Sequence, residues 1–392
     1  MPATPRHAAF AITAPGLEAL TAAELHAIGL PPSGTEPGGV AFVADVAGLC
    51  AANLRLRTAS RVVVRVAEFT VVAFRELERH AARVPWERFV APGRAVAFRV
   101  TCRKSRLYHS DAVAQRLALA VTRRVGGAQV VADAGESEGG EEDGARIPPQ
   151  LFVVRLLHDR CTISADTSGP LLHRRGYRQA VAKAPLRETL AAAMLLGAGW
   201  RPDAPLVDPM CGSGTIAIEG ALLARRIAPG LQRDFALRHW PEHDDGAWRA
   251  EHARAAGEAL SRAPAPIVAA DRDAGAVAAT EANARRAGVL DDLAIARQPL
   301  SALEPPAGAG WLVTNPPYGA RIGARDPLRD LYARLGQLAR TRLGGWTVAL
   351  LSADARLEAQ VGLRFEEGFR TTNGGIRVRL VRAAVPAPSA AS

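Results

Sequence analysis

Three short stretches carry side chains whose types and spacing suit chemistry on a nitrogen atom. The most informative is Asn315-Pro316-Pro317-Tyr318-Gly319, which follows the apolar run Trp311 to Thr314. Two prolines lock the backbone behind the asparagine. An exocyclic amine conjugated to an aromatic ring is a poor nucleophile, because its lone pair is delocalised. The Asn315 side-chain oxygen and the Pro316 carbonyl can each accept one of its N–H groups. That orients the nitrogen toward a methyl donor and favours sp³ character. Tyr318 offers a ring against which a base drawn out of its stack can lie. Such catalysis works by positioning and hydrogen bonding, with no general base of shifted pKa. Asn315, Pro316, Pro317 and Tyr318 are therefore the candidate catalytic residues.

The other two stretches suit a ligand that brings the reactive group. Leu206 to Ala217 contains Asp208-Pro209-Met210-Cys211-Gly212-Ser213-Gly214-Thr215 and reads as a strand, a tight glycine turn and a helix start. Glycine there permits a sharp bend and close ligand approach, and the helix start offers free N–H groups. The G-x-G-x-x-A spacing also fits a nicotinamide cofactor. Asp208 argues against one: a carboxylate at the strand end repels a pyrophosphate but pairs with a cationic amino acid moiety. The turn has no Lys, which excludes the usual phosphate loop. Asp271 closes the next strand, Val268 to Asp271, where a carboxylate can accept from both hydroxyls of a ribose. It lies well beyond the roughly 20 residues of a dinucleotide fingerprint, a distance explained by an insertion over residues 227–266. Trp240 and Trp248 in that insertion are expected to pack. Asp208, Met210, Gly212, Gly214, Thr215, Asp271, Arg272 and Asn315 are the candidate cofactor-binding residues.

These motifs need a parallel α/β sheet to present them. From Pro185 onward helical and β-rich segments alternate, with strands expected at Leu206-Val207, Ile267 to Ala270, Leu293 to Ala296, Trp311 to Thr314 and Trp346 to Leu351. The first third reads differently. Strands at Phe10 to Ile12, Val40 to Val43, Arg61 to Val66 and Thr70 to Phe74, with helices over Pro15 to Ile28 and Cys50 to Arg57, describe a small α+β unit with an antiparallel sheet. A second unit follows, with strands at Ala95 to Val100, Leu151 to Leu157 and Cys161 to Ala165. Its helix over Asp111 to Val125 carries Val113, Leu117 and Val121 on one stripe. The acid-rich stretch Asp133 to Asp143 reads as a mobile loop that would repel phosphate. The segment from Ala383 to Ser392 reads as a disordered tail.

Composition sets the remaining bounds. The chain has 392 residues, enough for two or three domains, and 48% are hydrophobic, enough for a core in each. No apolar run is long enough to span a membrane and no secretory signal is evident, so a cytoplasmic protein is expected. The four cysteines, Cys50, Cys102, Cys161 and Cys211, have no metal-binding spacing and read as reduced thiols; no metal is expected. The formal charge of +10 favours a polyanionic partner, with nucleic acid first. Arg103, Lys104, Arg106, Tyr108 and His109 form a compact phosphate-and-stacking cluster. Arg174, Arg175 and Arg178, beside Tyr177 and Lys183, form a basic connector that either touches RNA or packs as a hinge.

With these residues in hand, the chain resembles the class I RNA guanine-N2 methyltransferases that carry a THUMP domain. Asp208 to Glu219, Asp271 and Asn315 to Gly319 match the catalytic half of that family. Asn53 to Arg61, Lys104 to Ser110, Ser168 to Arg178 and Ala184 to Ala192 match its other parts in order. The resemblance implies S-adenosyl-L-methionine as cofactor and ribosomal or transfer RNA as partner, with N2-methylguanosine as product and no obligate protein partner evident. It implies a ferredoxin-like α+β domain over 1–70, a THUMP RNA-binding domain over 71–166, the connector over 167–185 and a Rossmann-like class I methyltransferase domain, an α/β fold with a mainly parallel sheet, over 186–383. The tail is then 384–392. One departure concerns the third strand: Arg297-Gln298-Pro299-Leu300 lacks the carboxylate that related enzymes place near the adenine amine. An N6-adenine RNA methyltransferase, and an RNA-binding assembly factor without turnover, are the alternatives.

Overall fold

The computed structural model describes residues 5–133, 147–179, 186–318 and 325–387. Lys183, Gly319, most of the acid-rich stretch and the last five residues lie outside them. The described residues form two sheets.

The first sheet takes its strands from β1 (His7–Thr13), β2 (Pro32–Glu36), β3 (Gly39–Ala44), β4 (Ala59–Thr70), β5 (Ala95–Arg103), β6 (Gln129–Val130), β7 (Gln150–Leu157) and β8 (Arg160–Asp166), in the order β2-β3-β1-β4-β8-β7-β5-β6. Its helices are α1 (Glu18–Ala27), α2 (Val46–Arg55), α3 (Phe74–Ala81) and α4 (Ser110–Arg124). Alternation decides which face is buried. Val62 and Val64 of β4, and Cys161, Ile163 and Ala165 of β8, enter the core with Val113, Leu117 and Val121 of α4. The antiparallel pair β4–β8 fuses the two N-terminal units into one sheet. The β-rich reading of Thr70 to Phe74 gives way to a different arrangement. β4 runs unbroken to Thr70, and Phe74 opens α3, whose buried Leu77 and Ala81 share one face.

The second sheet contains β9 (Leu206–Asp208), β10 (Ile267–Asp271), β11 (Leu293–Arg297), β12 (Trp311–Thr314), β13 (Thr347–Ser352), β14 (Glu366–Asn373) and β15 (Ile376–Ala384), in the order β11-β10-β9-β12-β13-β15-β14. The helices are α5 (Glu188–Gly197), α6 (Thr215–Ala224), α7 (Asp245–Gly257), α8 (Ala274–Arg286), α9 (Arg325–Arg342) and α10 (Ala355–Val361). Strands β9 to β13 pair in parallel, and β15 pairs antiparallel with β13 and β14. This is the Rossmann-like sheet expected, with apolar clusters on both faces. The expected tail needs correction: β15 continues to Ala384, and Val385 is buried with its N–H on the Trp346 carbonyl at 2.8 Å. No helix among the described residues is long and apolar enough to cross a membrane.

The insertion over 227–266 packs, as expected, but on the N-terminal sheet. Phe235, Leu237, Trp240 and Trp248 join that sheet's core. Trp240 meets Phe89 edge to face at 4.9 Å and donates Nε1–H to Gln150 Oε1 at 2.8 Å. Arg55 of α2 donates to Glu251 of α7 at 2.9 Å and also pairs with Glu258. The halves are thus clasped by apolar burial and by charges. Trp240→Ala is expected to lower unfolding stability by about 3–5 kcal/mol, from lost burial and a stranded Gln150 amide. Denaturant titration of the full chain checks this, and a change below about 1 kcal/mol would count against the clasp.

Candidate functional site

The sheet order changes direction between β9 and β12, and ligands of open α/β sheets bind beyond the carboxyl ends of the strands at such a point. β10, β9 and β12 are neighbours there, so Asp271, the glycine turn and Asn315 meet. Asp208 ends β9 with only 1% of its surface exposed. Its Oδ1 accepts from Thr314 Oγ1 at 2.7 Å and from the Met210 N–H at 3.3 Å. Burial pushes the Asp208 carboxyl up to about 7, against the opposing pull of the Thr314 hydrogen bond. Among the described residues it makes no salt bridge. A buried carboxylate in that state favours a cationic ligand group.

The glycine turn is built to leave room. Gly212 and Gly214 both take positive φ, +54° and +82°. A Cβ at Gly214 would come within 2.6 Å of Thr280 Cγ2, whereas at Gly212 it would meet open space. The turn's outer carbonyls are satisfied from α8: Thr280 Oγ1 donates to the Gly212 carbonyl and Asn283 Nδ2 to that of Ser213, each at 3.0 Å. Asp271 accepts from the Gly212 N–H at 3.0 Å through Oδ2 and from the Asp273 N–H at 3.0 Å through Oδ1. Each carboxylate oxygen retains a lone pair for a further donor. Thr215 is buried as the first residue of α6, and Arg272 is exposed beside Asp271. Gln298 follows β11, its backbone N–H on the Asp271 carbonyl at 2.9 Å. The buried carboxylate, the open face of the turn and the second strand-end carboxylate fit an amino acid joined to a nucleoside.

Asn315 follows β12 directly, and its Oδ1 is buried with no hydrogen-bond donor among the described residues. An unsatisfied buried acceptor costs about 1–3 kcal/mol, so this oxygen is set up for an incoming N–H. Pro316 is buried, Pro317 half-buried, and the Tyr318 hydroxyl accepts from Asn373 Nδ2 at 2.8 Å. Sequence reading missed Thr314, Thr280, Asn283 and Asn373. Thr280 and Asn283 lie three apart on α8, a spacing that shares a face, but a search for apolar periodicity passes over polar pairs.

The basic cluster sits on the other sheet, where β5 ends. Arg103, Lys104, Arg106, Tyr108 and His109 are all exposed, Tyr108 to 69%, while Leu107 anchors the loop in the core. The Arg106 N–H donates to Asp159 at 2.7 Å, tying the loop to the β7–β8 turn. The connector departs from the RNA-contact alternative at two positions. Arg175 is 4% exposed, donating to the carbonyls of Leu172 at 2.5 Å and Arg57 at 2.7 Å. Arg178 donates to the Leu186 carbonyl at 2.6 Å and lies 3.3 Å from Glu188. Their guanidinium groups brace the junction between the halves, the hinge alternative. Arg174 is half-buried.

Comparison with known proteins agrees with this arrangement. The family profile described as "RMKL-like, methyltransferase domain" matches residues 175–382, and "RlmL ferredoxin-like domain" matches residues 8–63. A protein of Synechocystis sp., named provisionally as an RNA methyltransferase, is 33% identical over 95% of both chains. The ribosomal RNA large subunit methyltransferase K/L of Syntrophotalea carbinolica is 39% identical over 95% of this chain; the match spans 53% of the relative, about half its length. The crystal structure of SMU.472, a provisionally named methyltransferase complexed with S-adenosylhomocysteine, superposes with a TM-score of 0.85 at 29% identity, covering 98% of this chain and 99% of that one.

The elevated Asp208 carboxyl gives a signed expectation. As the partner of the ammonium group of S-adenosylmethionine, Asp208 would act only in its ionised form. Affinity should therefore rise about tenfold between about pH 6 and about pH 8 and level off above. Calorimetric titration across that range checks it. Asp208→Asn should bind weakly with a flat profile, and a wild-type profile equally flat would remove Asp208 from that role.

Proposed function

Because the chain belongs to the RMKL-like methyltransferase family, we propose that it is an S-adenosylmethionine-dependent RNA methyltransferase forming N2-methylguanosine in structured ribosomal or transfer RNA. The observation that carries the reading is the buried, donorless Asn315 oxygen beside the glycine turn and its two strand-end carboxylates. Bound S-adenosylmethionine supplies an electrophilic methyl group on a sulfonium. Asp208 holds the donor's amino group, the turn around Gly212 and Gly214 receives its backbone, and Asp271 takes the ribose hydroxyls.

The chain's own residues then act on the base. Asn315 Oδ1 and the Pro316 carbonyl accept the two N–H groups of guanine N2, drawing the lone pair out of conjugation. Pro317 keeps that carbonyl fixed, and Tyr318 stacks on the base. After transfer the surplus proton leaves to water. Positioning supplies the rate enhancement. The exposed Arg103 to His109 loop meets phosphates and unstacked bases, fixing the RNA without reading its sequence. Overall RNA shape then selects the target.

The test is direct. Full-length protein, labelled donor and unmodified ribosomal or transfer RNA are incubated, and the RNA is digested to nucleosides. N2-methylguanosine is expected; label in N6-methyladenosine would favour the adenine alternative instead. Asn315→Ala should lower turnover about a hundredfold or more while RNA binding stays near parental. Parental turnover in that variant would end the assigned role.

A further inference from the structure

Tyr318 is gripped by a residue outside every motif of the sequence. Asn373 is the last residue of β14, and its amide donates to the Tyr318 hydroxyl at 2.8 Å. Tyr318 and Ile376, the first residue of β15, both pack against the apolar cluster beneath the sheet. Gly374 and Gly375 turn the hairpin with φ of +55° and +82°. Its other side is braced by the N-terminal unit. Gly16, at φ +94°, lies so close to β14 that a Cβ there would sit 1.7 Å from the Arg370 carbonyl oxygen. Asn373 therefore sits between a tight turn and a strand held from outside. A tyrosine ring packed only by apolar contacts can still pivot about its side-chain torsions, and a hydrogen bond at the phenol end removes that freedom.

We propose that Asn373 is a positioning residue for methyl transfer, fixing through the Tyr318 hydroxyl the ring against which the target base lies. The inference rests on the reading of Tyr318 as the stacking partner of the base. Asn373 acts on base alignment, so its loss falls on kcat and leaves cofactor affinity alone. The brace at Gly16 links the N-terminal unit to this alignment through β14.

The experiment uses the full chain, S-adenosylmethionine and an in vitro transcript of large-subunit ribosomal RNA. Asn373→Ala should lower kcat roughly two- to tenfold, the worth of one hydrogen bond, with donor affinity unchanged. Tyr318→Phe should lose a similar factor, and the double variant should be no worse than either alone, because both remove the same bond. Asn373→Asp, which can accept the phenol proton, should recover part of the loss. Multiplied losses in the double variant, or parental kcat in Asn373→Ala, would overturn the proposal. A readout independent of turnover is available, because the chain has only four tyrosines. With ring-labelled tyrosine, Asn373→Ala should push the Tyr318 titration further up, since burial raises it and the Asn373 donor holds it down. An unmoved titration sinks the contact itself. No transfer by the parental chain to any RNA sinks the reading of function, and is told apart by a titration that still moves.

Discussion

The hydrogen bond between Thr314 and the Asp208 carboxylate joins the tips of two parallel strands 106 residues apart in sequence. The pocket is organised around that join. β9 is an inner strand of the methyltransferase sheet, with β10 on one side and β12 on the other. Any ligand reaching past Asp208 therefore faces the carboxylate of Asp271 and the amide of Asn315 together. The second tie, from the Gly212 N–H to Asp271, spans 59 residues and closes the other flank. Parallel pairing aligns the carboxyl ends of these strands, so one sheet edge gathers Asp208, Asp271 and Asn315.

Buried polar groups are satisfied in some parts of the molecule and left open in others, the site among them. One buried polar group far from the pocket is fully engaged. Asn53, Thr167 and Ser168 form a closed network under β4, and Asp166 holds Arg61 together with the Ser168 and Gly169 amides. At the sheet edge two buried groups stand open. Among the described residues, Asp208 is buried without a cation and the Asn315 Oδ1 has no donor. These local costs are carried by a scaffold that is well packed elsewhere, the usual location of rule-breaking in a folded protein. Thr280 and Asn283 show the complementary device: they fill the outward carbonyls of the glycine turn, so that only its inner face is open.

Much of this was legible in the sequence, because short motifs at strand ends impose their own geometry. Gly212, Gly214, Asp208, Asp271 and Asn315 could be read as one pocket once a parallel sheet was assumed, and the Val113, Leu117 and Val121 stripe located α4. What escaped was set by contacts distant in sequence. Asn373 has no local signature of function, although Asn373-Gly374-Gly375 flanked by the alternating Ile376, Val378 and Leu380 is a hairpin signal. β14 and β15 were passed over because their arginines obscured that alternation. Arg175 and Arg178 looked like surface charge, but buried carbonyls and carboxylates recruit them inward, which charge counting cannot foresee. Trp240 and Trp248 could be expected to pack; their choice of the other domain's core is a property of the assembled chain.

That choice has a consequence for how the polypeptide is made. The N-terminal sheet is complete once residue 166 has emerged from the ribosome, yet part of its apolar surface is roofed by side chains supplied some seventy residues later, at Phe235, Trp240 and Trp248. Until then Leu54 and Phe89 lack their final cover, and such transient exposure invites association with other chains. The N-terminal core thus reaches its final form only with side chains from the catalytic half. A methyltransferase fragment cut free of its predecessor would carry three large aromatic rings into water.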